Sequence, residues 1–309
     1  MKTLGRFLVD RNVIFTAALV LALTVPGAEP YLRPLLLPVL ALVIMISLLS
    51  IGPKAFRSPK TVLGNTVTGI GVSYLLLTGV ILAAARLLIA DPELRTGFIL
   101  AAATPPAVAV VPFAEMLGGS RTLSLFGMVG GLLAAFLLLP LITLVFIGSD
   151  IVEPGRLVVI LLVLIVVPFL VSRLVRAAGL DTAAEPYKGP VTNVCFGIAF
   201  FIMVAANHDT IIHETSALVP PTVVWILIMA VSGGAVTAVS MFLSVNRRTR
   251  VSLVLLATLK NYAISAGLGL LLFSERTALP SVIMTIIMIP YIILFDLIDG
   301  SPKKKDKPY

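Results

Sequence analysis

Long apolar runs separated by short polar stretches fill this chain, and their lengths match a bilayer. A helix of about 20 apolar residues crosses a hydrocarbon layer about 30 Å thick. Ten runs approach that length, near 12–27, 31–51, 62–85, 97–117, 122–147, 157–172, 190–206, 219–244, 251–273 and 279–298. The first and sixth are short for a span. The pattern predicts an all-α membrane protein with ten transmembrane helices.

Composition agrees. With 59% hydrophobic and 12% charged residues, the 309-residue chain cannot cover itself with a soluble surface. Its single cysteine, Cys195, rules out a disulfide scaffold. The net charge of +8 would suit nucleic acid in a soluble protein, but in a membrane chain it marks cytoplasmic loops, and no nucleic-acid partner is expected. Lys2 and Arg6 ahead of the run at 13–25 have the look of a signal peptide. The segment is expected to be a retained span, because Asp10 and Arg11 precede it, no Ala-x-Ala site follows, and its removal would leave nine spans.

Loop charges then give the orientation. Alternate loops hold clusters such as Lys54, Arg57 and Lys60, Arg173, Arg176 and Lys188, or Arg247, Arg248 and Arg250, and end in the basic tail with Lys303, Lys304, Lys305 and Lys307. The intervening loops hold only Arg33, Arg86, Arg95, Arg156 and Arg276, and Lys260 lies inside a run. Both termini are therefore expected in the cytoplasm of a bacterial inner membrane, with the tail at 300–309 held against anionic lipid.

Polar interruptions inside a bilayer mark pathways. The fourth run contains Ala103-Thr104-Pro105-Pro106-Ala107, with Pro112 beyond, and the ninth contains Thr258-Leu259-Lys260-Asn261-Tyr262-Ala263. Adjacent prolines should break the first helix. At about 1.5 Å per residue, Thr104 lies about 14 Å from Arg95 on one side and Lys260 about 15 Å from Arg250 on the other, so both breaks reach the midplane. Each falls in the fourth of five spans, and each following span carries a proline, Pro140 or Pro290. Five is odd, so the second set enters from the opposite side. The expected organisation is two inverted five-helix repeats, 1–148 and 149–299, with discontinuous helices 4 and 9 crossing, as in secondary transporters.

Gly5-Arg6-Phe7 and Asn12-Val13, Leu37-Pro38 with Ser47-Leu48, the block 105–124 with Pro112-Phe113, Leu117-Gly118-Gly119 and Leu123-Ser124, and finally Asn261 follow one another in a distinctive order. In that order and spacing the chain resembles, over nearly its whole length, the bile acid:sodium symporter family, within the wider group of arsenite and auxin-efflux-type carriers. The resemblance implies a panel domain and a core domain, with the fourth and ninth helices unwound and crossing at the transport site. Sodium-using members resemble one another in a polar Ser-Asn pair past the first break and a Glu ahead of Gln-Asn at the second. Here Val110 and Val111 stand at the pair, Leu256 at the glutamate and Lys260 at the glutamine, and only Asn261 matches. The resemblance therefore implies dismantled sodium sites. Thr104 lies where arsenite carriers place a cysteine, which weakens that reading.

Each singled-out residue has a plainer alternative. Lys260 could snorkel to the interface, but its stem covers only about a third of the depth, which favours a functional site. Asn261 serves equally as an interhelical hydrogen bond. Asn65, Tyr74, Thr78, Asn193, Cys195, Ser232, Thr237 and Ser240 either line a cavity or pack helices. Glu115 is read as an ordinary interfacial charge. His208 and His213, five apart, are read as decoration of an outer loop, not a metal site. No cofactor or metal is expected. Paired intramembrane aspartates, a serine with a base and a His-Glu-x-x-His motif are all missing from the sequence, so an enzyme is not expected.

These readings converge on a secondary active transporter of a small organic anion, sodium-independent or proton-linked. The site is expected to lie between Thr104, Pro105, Pro106 and Ala107 on one side and Lys260, Asn261, Tyr262 and Ala263 on the other. A sodium-coupled symporter of the same fold and a passive channel are the alternatives.

Overall fold

The computed structural model describes residues 11–49, 58–148 and 154–299, and every element of regular structure among them is helical. The expected roles of the N-terminal basic residues, Lys54, Arg57 and the tail at 300–309 lie outside the described residues, as does the start of the expected second repeat at 149.

Each of the ten predicted runs is occupied by helix. We label them α1 (Arg11–Thr24), α2 (Leu36–Leu49, entered through short helical turns from Pro26), α3 (Pro59–Leu88), α4 (Pro92–Ala103), α5 (Val110–Met116), α6 (Arg121–Phe146), α7 (Gly155–Ala177), α8 (Asp181–Ala206), α9 (Thr215–Phe242), α10 (Arg247–Leu256), α11 (Tyr262–Leu272) and α12 (Glu275–Asp299). Seven continuous helical segments among the described residues are long and apolar enough to cross a membrane: Pro26–Leu49, α3, α6, α7, α8, α9 and α12. The fourth and ninth runs are each split, into α4 with α5 and α10 with α11.

Several boundaries depart from expectation. The sixth run, read as short, is a 23-residue helix. The seventh begins at Asp181 instead of near 190, because Pro186 and Pro190 are carried inside α8. His208 and His213 lie on a short helix, His208–His213, and not on a loop, with their rings 6.5 Å apart. No metal-binding cluster occurs among the described residues. Pro112 does not extend the break. It sits in the first turn of α5, where its missing N–H leaves no helical bond unmade.

The helices pack in two groups. The first combines α1, α2, α7 and α8, and the second combines α3 to α6 with α9 to α12. Close backbone approach holds the second group together. A Cβ at Gly97 on α4 would strike Thr277 O and Pro280 of α12, and one at Gly269 on α11 would press on Ala278.

Polar ties join the two groups at the end expected to face outward. Arg33 reaches both Glu29 (2.6 Å) and Glu275 (2.8 Å), linking the lead-in to α2 with α12 across the two groups. Arg156 Nη2 donates to Leu271 O at 2.9 Å and makes a second link between them. Asp91 is the hub of this end: its Oδ1 accepts the N–H groups of Glu93 (2.9 Å) and Leu94 (3.1 Å), capping α4, while Oδ2 lies 2.7 Å from Nε and Nη2 of Arg276. Burial pushes the Asp91 carboxyl up, but the Leu94 amide, Arg276 and the Glu93 amide together hold it below its ordinary 3.8. A depressed carboxyl contributes stability that is present above its unfolded value and lost as pH falls through its folded one. Thermal unfolding should thus show stability falling below about pH 4. Asp91→Ala should lose about 1 kcal/mol at neutral pH through the missing cap and show a flatter acid limb. An unaltered acid limb in the variant would refute this assignment.

Candidate transport site

Neither Pro105 nor Pro106 has an N–H to donate, so α4 ends at Ala103 and the chain resumes helix only at Val110. On the other strand of the crossing, α10 ends at Leu256 and α11 begins at Tyr262, where the Asn261 side chain accepts the Ile264 N–H at 3.2 Å. Asn261 is thus a helix cap, a role its position just ahead of the run Tyr262–Leu272 could have signalled.

The two unwound segments lie antiparallel. Ala107 N–H donates to Leu259 O (3.1 Å), Asn261 N–H donates to Pro105 O (2.7 Å), and Pro106 pairs with Lys260 between them. A helix that stops within a membrane leaves carbonyls that protein groups must satisfy. Here the end of α4 is covered one carbonyl at a time. Leu100 O accepts Thr104 N–H (3.1 Å), Ala101 O accepts Thr104 Oγ1 (2.8 Å) and Ala102 O accepts Thr78 Oγ1 (2.7 Å). Ala103 O takes a long bond from the Tyr74 hydroxyl (3.4 Å), and Thr104 O accepts Lys260 Nζ at 2.9 Å. Tyr74 and Thr78, whose roles the sequence left open between cavity and packing, belong to this coverage. Tyr74 sits in a π-helical stretch of α3, Gly71–Leu77, of the kind that recurs at functional positions.

Lys260 is completely buried. It does not snorkel to an interface. Its Nζ stands 3.8 Å from the centroid of the Tyr74 ring, so the negative face of the ring and the partial negative charge at the C-terminus of α4 both face it. Among the described residues no carboxylate lies in ion-pair range of it. Tyr262 packs edge-on against Trp225 with ring centroids 5.1 Å apart, and its hydroxyl donates to Thr258 O at 3.0 Å.

A cavity of about 620 Å³ lies beside the crossing, between the two helix groups. Of the eight predicted residues, Ala107, Lys260, Asn261, Tyr262 and Ala263 border it, whereas Thr104, Pro105 and Pro106 are buried in the crossing itself. Phe15, Phe113, Phe196 and Phe200 make much of its wall apolar. Its polar positions include Thr16, Ser47, Thr192, Asn193 and Thr285, together with Lys188, which sequence reasoning had assigned to a loop. Among the described residues, the cavity border contains two lysines and no acidic residue. Val110 and Leu256, at positions the resemblance assigns to sodium ligands, are fully buried in one apolar cluster.

Compared with known families, residues 13–296 match the model of the SBF-like CPA transporter family, which is of the bile acid:sodium symporter type. No curated protein matches the chain.

Proposed function

Because the chain belongs to the SBF-like CPA transporter family, which makes it an integral membrane transporter, we propose that it is a secondary active carrier of a small organic anion in which Lys260 stands where a sodium ion would otherwise sit. The observation that carries this reading is the placement of the Lys260 amino group: it borders the cavity, caps the broken end of α4 through Thr104 O, and has no carboxylate partner among the described residues. A fixed cation at a helix C-terminus supplies the electrostatic role that a bound sodium ion fills. The apolar packing of Val110 with Leu256 supports sodium independence, since neither side chain offers an oxygen ligand.

In this reading the chain is two inverted five-helix repeats, 1–148 and 149–299, spanning ten times with both termini in the cytoplasm. The composition of the two packing groups supports it, because each takes the same ordinal helices from both halves. The cavity then opens toward the cytoplasmic side, where the starts of α1, α6 and α8 and the end of α2 border it, while the Arg33 and Arg156 ties close the opposite end. The state is inward-facing. An incoming carboxylate draws the Lys260 ammonium from Thr104 O to itself, and the proton on Lys260 becomes available for exchange during transport.

The test is transport in proteoliposomes loaded with unlabelled anion. Labelled anion should accumulate by counterflow, at a rate unchanged when sodium is replaced by potassium and altered by an imposed pH gradient. Flux without counterflow would mean a channel, and a requirement for a sodium gradient would mean a sodium symporter.

A further inference from the structure

We propose that Lys188 is a second anion-binding residue of the cavity, and that the carrier selects substrates with an acidic group at each end, such as α,ω-dicarboxylates. The proposal rests on the reading of the cavity as the transport site. Lys188 lies on α8, in the first helix group, whereas Lys260 belongs to the second, so the two cations border one cavity from different helix groups. Among the described residues no acid borders the cavity, and a bound monoanion would meet one of these charges and leave the other unanswered by substrate. A dianion answers both, and at the fully buried Lys260 end charge matching counts for more than in water.

Lys188 has a partner, Glu185, at 2.5 Å one helical turn away. The two ends of this pair differ: the Lys188 side chain is 12% exposed and that of Glu185 is 71% exposed. Pairs with a solvent-exposed member hold by at most about 1 kcal/mol. Glu185 can therefore swing into water and yield its place to a substrate carboxylate, so that one carboxylate replaces another on the same ammonium. Thr192, one turn further along the same face of α8, also borders the cavity and offers a hydroxyl to the same end of the substrate. A dianion held this way bridges the two groups that must move relative to each other.

The experiment uses the purified full-length chain and matched probes: butyrate against succinate, hexanoate against adipate, and octanoate against suberate. Binding is read by calorimetry and by thermal shift. At one chain length the dicarboxylate should bind at least about tenfold more tightly than its monocarboxylate. In Lys188→Gln that ratio should fall toward one, in Lys188→Arg it should be largely kept, and in Glu185→Gln, where the competing carboxylate is gone, it should rise. A ratio near one at every length in the native chain, no dicarboxylate binding at all, or a ratio untouched by Lys188→Gln overturns the proposal. Lys260→Gln separately tests the underlying site, since it should weaken both probe classes together.

Discussion

Lys260→Met should stop transport while leaving a folded protein. Methionine fills a similar volume beneath Tyr74 but brings neither charge nor donor. The Thr104 carbonyl, fully buried, then loses its partner, a loss of about 1–3 kcal/mol in stability. Transport loses more, because the only charge at the crossing among the described residues is gone. A drop in counterflow of at least about 100-fold is expected, the equivalent of roughly 2.7 kcal/mol. Lys260→Ala should do the same to transport and destabilise further by leaving a void. Comparing the melting temperature and the counterflow of the two variants separates packing from charge. Native-rate transport in a folded Lys260→Met protein would remove the residue from the mechanism.

Gly131→Ala should be damaging as well, although Gly131 has no side chain and its one contact with the site's polar groups is the long bond that its carbonyl accepts from the Tyr74 hydroxyl (3.4 Å). Its Cα faces the Pro106 ring across the crossing, and an added Cβ would fall inside the van der Waals radii of Pro106 Cδ and Cγ. A proline ring held between two backbone hydrogen bonds, at Pro105 O and Ala107 N, has no rotamer to escape into. Either α6 withdraws from the crossing or the bridge between Pro106 and Lys260 opens. Overpacking of this kind costs about 1–3 kcal/mol, and here it displaces the segment that positions Lys260. Transport should fall at least about tenfold, with a lower melting temperature. Gly79→Ala on α3, where an added Cβ meets nothing within 4 Å, is the control and should be neutral or slightly stabilising. Equal behaviour of the two variants would show that the crossing tolerates movement.

The site was legible wherever one residue type carried its own consequence. Adjacent prolines in the middle of an apolar run and a lysine far from both loop charges make Pro105, Pro106 and Lys260 stand out in the chain alone, although a proline pair does not always end a helix, since α9 carries Pro220 and Pro221 inside it. Tyr74 and Thr78 did not, because their value lies in which carbonyls they reach, and that depends on how α3 leans on α4. Lys188 was misplaced for a local reason. Pro186 and Pro190 read as the end of a loop, yet α8 runs through both, which turns a supposed loop charge into part of a cavity wall. Pro112 misled in the opposite sense, since the same proline that breaks a helix interior is at home in a first turn. Each apolar run holds helix among the described residues, but helix ends are set by caps such as Asp91, Ser120, Asn246 and Asn261, which a hydrophobic pattern does not weigh.

The ammonium without a carboxylate ties the empty carrier to the membrane potential. If α10 and α11 return to the outward state with Lys260 still protonated, that step moves a positive charge against an inside-negative potential, at about 2.3 kcal/mol per elementary charge per 100 mV for a full crossing. A polarised membrane would then hold the unloaded protein in the inward-facing state, and binding an anion would cancel or reverse the charge that moves. Such a carrier should show transient currents in the absence of substrate. If Lys260 instead sheds its proton before returning, those currents vanish and the turnover rate follows cytoplasmic pH.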